Sequence, residues 1–237
     1  MPPSVAVVLP TYNEVENLST VAGAIRAHGY RLIVVDDNSP DGTGRLADEL
    51  ASGDDRISVV HRPAKRGLGP AYADGFSRAL ETTAEVICQM DADFSHDPAS
   101  LPTLVATVED GADVAIGSRY VPGGSVPGWP LHRRLLSQWG NRYARSMLGT
   151  SIQDMTSGFR AYRSPVLETL EPATCEASGY GFQVEMASRC HSRGLAVVEV
   201  PISFRDRELG ESKMHWRIAL EAMWLVTVWG IRARTGR

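Results

Sequence analysis

Asp91 and Asp93, separated by Ala92, directly follow the apolar run Val86-Ile87-Cys88-Gln89-Met90. Such a run reads as a short strand, so both carboxylates fall at a strand's carboxyl end, where open α/β sheets bind ligands. Side chains two apart on an extended segment point to the same side. Left unpaired, two such carboxylates repel and resist full ionisation. A hard divalent cation, Mg2+ or Mn2+, resolves the conflict and commonly completes its shell with substrate phosphates. An isolated D-x-D triplet is more often a solvated turn than a metal site, so the rest of the chain has to decide.

The elements expected to position these residues alternate regularly. Val5 to Leu9, Leu32 to Val35, Ile57 to Val60, Val86 to Met90 and Val114 to Gly117 read as strands. Between them Leu18, Val21, Ala22 and Ile25 share one helical face, and further helices are expected near Asp41 to Leu50, at Leu68 to Leu80 and around Leu101, Leu104, Val105 and Val108. Ser39-Pro40 has the form of an N-cap followed by proline at the first helical position. Apolar strands alternating with amphipathic helices predict an α/β fold, a mostly parallel sheet with helices on both faces.

After Tyr120 the regularity changes. Pro122, Gly123, Gly124, Pro127, Gly128 and Pro130 crowd a loop. A helix near Leu135 to Leu148, a helix near Phe182 to Arg193 and a strand at Ala196 to Val200 follow. These are too few for a second core, so residues 1–237 are expected to form a single domain, with 121–237 as an extension of the half formed by 1–120.

The polar groups gather after the predicted strands. Pro10-Thr11-Tyr12-Asn13-Glu14 follows the first, Asp36-Asp37 the second, Asp91-Ala92-Asp93 the fourth and Ser118-Arg119 the fifth. In a parallel sheet those ends share one edge and converge on one crevice. Loop polarity and helix capping account for Asn13 and for Asp97 before Pro98. They account less well for two strands that end in acidic pairs.

Composition removes several other classes. The chain has 237 residues, 43% of them hydrophobic and 22% charged, as in an ordinary globular core. A net charge of −4 gives a nucleic-acid partner no global electrostatic support. Cys88, Cys175 and Cys190 show no C-x-x-C spacing, which suits a reduced cytoplasmic protein. No secretory leader is expected, and the apolar stretch Ile218 to Ile231 is too short for a membrane span and contains Glu221. Gly67-Leu68-Gly69 fits a dinucleotide fingerprint poorly, because Tyr72 stands at the third glycine position and the segment follows the third strand. The histidines are isolated, and His96 is expected as a solvated turn residue.

Pro10-Thr-Tyr-Asn-Glu14, Asp36-Asp-Asn-Ser-Pro-Asp-Gly-Thr43, Asp91-Ala-Asp-Phe-Ser-His96, Gly117-Ser-Arg-Tyr120, Thr156-Ser-Gly-Phe-Arg160 and Val200-Pro-Ile-Ser-Phe204 run in order along nearly the whole chain. Together with Arg207 and Gly210-Glu-Ser-Lys213, they resemble the polyprenyl-phosphate (dolichyl-phosphate) mannose synthases of glycosyltransferase family 2. The resemblance implies a GT-A-type fold in which 1–120 bind the nucleotide sugar and 121–237 face the acceptor. Pro10, Tyr12, Glu14, Val35 and Asp37 would hold the nucleotide. Asp91, Ala92 and Asp93 would sit at the donor diphosphate, with the two aspartates serving Mg2+ or Mn2+. Arg119, Arg207 and Lys213 would bind phosphate oxygens. Phe94 and Ser95 depart from the pattern, and Ser95 is too short to reach a metal directly.

The implied reaction is inverting transfer of mannose from GDP-mannose to a polyprenyl monophosphate. That nucleophile has a second pKa near 6 and is largely ionised at neutral pH, so it needs cations more than a general base. Arg119, Arg133, Arg207 and Lys213 suit the need. Asp154 lies where hydroxyl-using relatives keep a base, and its role stays open between base, acceptor positioning and turn capping. The rival readings are a UDP-glucose-dependent transferase and a nucleotide-sugar-binding protein without turnover. Trp216 to Ile231 reads either as a core helix or as an amphipathic helix at the cytoplasmic face of a membrane, with Arg232, Arg234 and Arg237 against anionic lipid and a separate membrane protein as a conceivable partner.

Overall fold

Strand β1 (Val5–Thr11) sends Val5, Val7 and Leu9 into one core and Ala6 and Val8 into another. Strand β2 (Arg31–Asp36) repeats the division with Leu32 and Val34 against Ile33 and Val35. Both faces of the sheet are therefore covered, which is why these strands are apolar throughout. The computed structural model describes residues 3–177, 179, 181–205 and 216–235, and in the last helix it describes the side chains of 223–232.

β3 (Ile57–His61), β4 (Val86–Gln89), β5 (Val114–Ser118), β6 (Arg160–Arg163) and β7 (Val197–Pro201) complete a seven-stranded sheet in the order β3-β2-β1-β4-β6-β5-β7. β6 is antiparallel to both β4 and β5, and the other pairings are parallel. The sheet order reverses at β1 and β4, which places a crevice at their carboxyl ends. Helices α1 (Val15–Ala27), α2 (Thr43–Gly53) and α4 (Leu101–Glu109) cover one face. The other is covered by α3 (Leu68–Leu80), α5 (Leu131–Leu148), α6 (Ser164–Thr169), α7 (Gly181–Ser192) and α8 (Trp216–Thr235).

Three local expectations need correction. β4 ends at Gln89, one residue before Met90. The helix expected after Ser39-Pro40 starts only at Thr43, because Asp36 captures both the hydroxyl (2.6 Å) and the backbone N–H (3.1 Å) of Ser39. Gly42, at φ +96°, is the N-cap residue, and Asp41 before it accepts the Thr43 N–H at 3.0 Å. β6 and α6 were not foreseen. α3 lies close on the sheet because Gly75 has no side chain, and a Cβ there would fall 2.8 Å from Val35 Cγ2.

In α8, Val226 and Gly230 are buried and Trp229 packs against the core, while Trp224 and Ile231 face outward with 69% and 53% exposure. Tyr143 of α5 and Thr227 of α8 share a hydrogen bond of 2.7 Å. Over residues 223–232 the helix thus packs one face on the core and leaves another uncovered. No helix among the described residues is long and apolar enough to cross a membrane.

Candidate active site

The crevice at the β1/β4 switch point is a cleft of about 310 Å3. Pro10, Tyr12 and Glu14 from the end of β1, Asp37 after β2, and Asp91, Ala92 and Asp93 after β4 all line it. Val35 does not line it: its side chain is fully buried on the α3 face of the sheet.

The two acidic pairs split their tasks. Asp36 is 3% exposed, and its carboxylate holds Ser39 and Thr11. Asp37 faces the cleft and pairs with the buried Arg62, which Asp74 grips from the other side at 2.7 Å. Burial pushes the Asp37 carboxyl up, and the Arg62 charge opposes it without cancelling it. Asp41 ties Thr43 to Val15, so most of the Asp36-to-Thr43 motif is loop scaffolding that delivers a single carboxylate.

Asp91 and Asp93 each accept hydrogen bonds at Oδ1. Asp91 Oδ1 accepts the Tyr72 hydroxyl at 2.8 Å. Asp93 Oδ1 accepts the backbone N–H (3.1 Å) and the hydroxyl (2.5 Å) of Ser95. Phe94 takes φ +57°, an uncommon left-handed value for a bulky residue, and turns the chain sharply after the pair. His96 overturns its expected solvated setting. It is 2% exposed, stacks on Phe159 with ring centroids 5.0 Å apart, and its Nδ1 accepts the Asp91 backbone N–H at 3.2 Å. Burial lowers its pKa, so the ring is neutral and steadies the backbone of the acidic turn. Among the described residues no cluster of three or more His, Cys, Asp or Glu side chains is poised to hold a metal. Two carboxylates beside an open cleft nonetheless fit a hard cation that takes its remaining ligands from a diphosphate.

A second cavity, of about 230 Å3, adjoins the first at Leu68 and Asp91, which line both. Its polar side chains include Arg119, Arg133 and Ser137, and its walls include Leu136, Tyr143, Val184, Met223 and Val226. Arg133 lies 4.0 Å over the Trp129 ring, and Arg119 is surrounded by Tyr120, Trp129 and Phe204. Gly124 permits that enclosure, since a Cβ there would strike the backbone of Ser118 and Arg119 at 2.7 Å.

Asp154 does not reach either space. It is fully buried and takes two guanidinium hydrogen bonds from Arg119, at 2.7 and 2.6 Å, plus the Arg119 backbone N–H at 3.0 Å. Burial opposes its ionisation, but the charge and hydrogen bonds of Arg119 win and hold the carboxyl below the usual range. A carboxylate so placed is a poor proton acceptor and a good positioner of Arg119. Arg160, in the Thr156-to-Arg160 motif, is likewise internal, and it ties the carbonyls of Ser157, Met155 and Gln183 together. Arg207 and Lys213 lie outside the described residues.

Sequence reasoning missed Lys65, Gly67 and Ala71 of the first cleft and Gln183 of the second, along with Arg62 and Tyr72 behind Asp37 and Asp91. Lys65 sits 3.8 Å over the Tyr12 ring. The available signal was Gly67-Leu-Gly, set aside because it failed as a dinucleotide fingerprint. Here it brings the start of α3 to the cleft, where helix N–H groups favour an anion.

Two cavities that meet at Leu68 and Asp91 suit a group-transfer enzyme of the α/β class. The chain belongs to glycosyltransferase family 2, whose description, "Glycosyl transferase family 2", matches residues 6–171. It is 50% identical over 234 residues to the polyprenol monophosphomannose synthase of Mycolicibacterium smegmatis, covering 98% of this chain and 88% of that one. It is 47% identical to the undecaprenyl-phosphate mannosyltransferase of Micrococcus luteus, covering 97% and 95%. The fold is similar to that of a Pyrobaculum calidifontis mannosyltransferase solved with GDP-Man and Mn2+, at TM-score 0.62 and 18% identity, over 96% of this chain and 65% of that one. S. aureus TarS with UDP-GlcNAc gives TM-score 0.62 and 16% identity, over 97% and 66%. The architecture is the GT-A type that the sequence motifs implied.

Proposed function

We propose that the enzyme transfers mannose from GDP-mannose to a polyprenyl monophosphate with inversion at the anomeric carbon. The observation that carries this reading is the junction at Asp91, where a cleft lined by Glu14, Asp37, Lys65, Asp91 and Asp93 opens into a second cavity that is largely apolar and holds Arg119 and Arg133. Both relatives named above are polyprenyl-phosphate mannosyltransferases by name, and they match nearly the full chain.

Tyr12, Lys65 and Asp37 hold the nucleoside, and Asp37 is kept in place by Arg62. Asp91 and Asp93 are the residues that would hold a Mg2+ or Mn2+ ion at the donor diphosphate. When bound, such an ion neutralises the charge that builds on the leaving diphosphate. Arg119 and Arg133, joined by Arg207 and Lys213, hold the acceptor phosphate beside the anomeric carbon. An acceptor oxygen forms the new bond to that carbon from the face opposite the diphosphate. The old carbon–oxygen bond breaks, its electron pair leaves with GDP, and an α-linked donor becomes a β-linked product. The nucleophile is already ionised, so no base is required, in keeping with the enclosure of Asp154. Incubation with polyprenyl phosphate and radiolabelled GDP-mannose, with UDP-glucose in parallel, should give labelled lipid from the first donor. Transfer from UDP-glucose alone, or from neither, would overturn the proposal.

Tyr72→Phe tests the acidic pair from behind. It removes one charge-assisted hydrogen bond worth about 1.5–3 kcal/mol. The affinity for GDP with Mn2+, read by calorimetric titration, should fall roughly tenfold. An unchanged affinity would leave the hydroxyl a packing feature only.

The enzyme works peripherally at the cytoplasmic face of the membrane. Leu131, Leu135, Leu136 and Trp139 of α5 and Trp224 of α8 supply exposed apolar surface, each more than half exposed. Trp224→Ser should weaken vesicle binding and change stability by no more than about 0.5 kcal/mol. Trp229→Ser should cost about 2 kcal/mol in thermal or denaturant unfolding, since it removes a large ring packed on the core. Equal stability losses in the two variants would contradict the division of α8 into an inner and an outer face.

A further inference from the structure

α5 carries Arg133, Arg134, Arg142 and Arg145 and no acidic residue, in a chain of net charge −4. Arg134, Arg142 and Arg145 stand at helical spacing with Gln138 and line a cleft of about 530 Å3 next to the acceptor cavity. None of these three arginines pairs with a carboxylate among the described residues. The Nε of Arg145 is buried without a hydrogen-bond partner. Leu135 and Trp139 line the same cleft, yet are 54% and 51% exposed, and Leu131 one turn earlier is 69% exposed. Uncompensated guanidinium groups beside uncovered leucine and tryptophan describe neither a core nor an ordinary solvated face.

We propose that this cleft binds the phosphate headgroup of an anionic phospholipid, with Leu131, Leu135 and Trp139 seated in the adjoining bilayer interface. The inference rests on the peripheral reading given above and assigns that reading a defined site. Guanidinium forks match phosphate oxygens in pairs of hydrogen bonds. A free phosphate ion would use the arginines but leave the leucines and the tryptophan exposed, whereas a lipid surface uses both. Trp139 and Asn141 line the headgroup cleft and the acceptor cavity alike, so a lipid held here orients the cavity toward the layer that contains its polyprenyl substrate.

The test is co-sedimentation of the full chain with phosphatidylcholine vesicles, with and without phosphatidylglycerol. The wild type should prefer the anionic vesicles. Arg134→Gln/Arg142→Gln/Arg145→Gln should lower the association constant about a hundredfold, roughly fivefold per charge. The charge-matched control Arg31→Gln/Arg45→Gln/Arg56→Gln should lose far less. Turnover of detergent-solubilised polyprenyl phosphate should survive in the triple variant, which shows that it is folded and separates this site from the transferase itself. Equal losses in the two triple variants, or no preference of the wild type for anionic vesicles, would overturn the proposal. Tight binding of soluble glycerol 3-phosphate without vesicle preference would reassign the cleft to a free anion.

Discussion

Asp93→Asn should abolish transfer, lowering kcat/KM at least about a hundredfold, while the protein stays folded. The asparagine keeps the size of the side chain, and its carbonyl oxygen can still accept the N–H and hydroxyl of Ser95 that Asp93 accepts at 3.1 and 2.5 Å. Asp93 is 9% exposed and lines the first cleft, so the change removes charge where the proposed reading holds the diphosphate, without opening a void. A hundredfold loss corresponds to about 2.7 kcal/mol of barrier. The check is kcat/KM for GDP-mannose across a series of Mg2+ and Mn2+ concentrations, with thermal unfolding in parallel. A folded variant that turns over with the metal dependence of the wild type would remove the aspartate pair from the proposed site.

The acidic pair was legible because its position is dictated by the strand before it. Six parallel strands were readable from largely apolar runs, and in a parallel sheet their ends must share an edge. What escaped has a physical cause in each case. β6 begins and ends with arginine, and Arg160 is fully buried by hydrogen bonds to carbonyl groups rather than by apolar contact, so hydropathy hides it. His96 looks solvated in sequence because a polar residue near aspartates ordinarily is. Its burial depends on Phe159 and Phe204, which arrive from distant segments. Val35 was placed at the nucleotide by resemblance alone, and strand alternation turns its side chain into the core on the α3 face. Arg62 follows β3 without any motif and Tyr72 stands where a dinucleotide fingerprint fails, and only the tertiary fold puts them behind Asp37 and Asp91.

Replacement of Asp154 should separate positioning from base catalysis. Asp154→Ala leaves Arg119 without its bidentate partner, although that arginine's side chain is only 8% exposed. Breaking a buried pair from one side costs about 3–5 kcal/mol, so the variant should unfold at markedly lower denaturant. The same pair sets a pH dependence. The folded-state pKa of Asp154 lies below its ordinary value, so its contribution is complete above about pH 4 and is lost as pH falls through the folded-state pKa. The stability gap between wild type and Asp154→Ala should therefore be flat near neutrality and close under acid conditions. Asp154→Asn keeps the shape and part of the hydrogen bonding. It should weaken acceptor binding through a loosened Arg119, with KM for polyprenyl phosphate rising more than kcat falls. A base would behave in the opposite way: Asp154→Asn would then abolish kcat at nearly unchanged KM and stability. That outcome would return Asp154 to the reacting atoms and require it to leave the enclosure in which Arg119 now holds it.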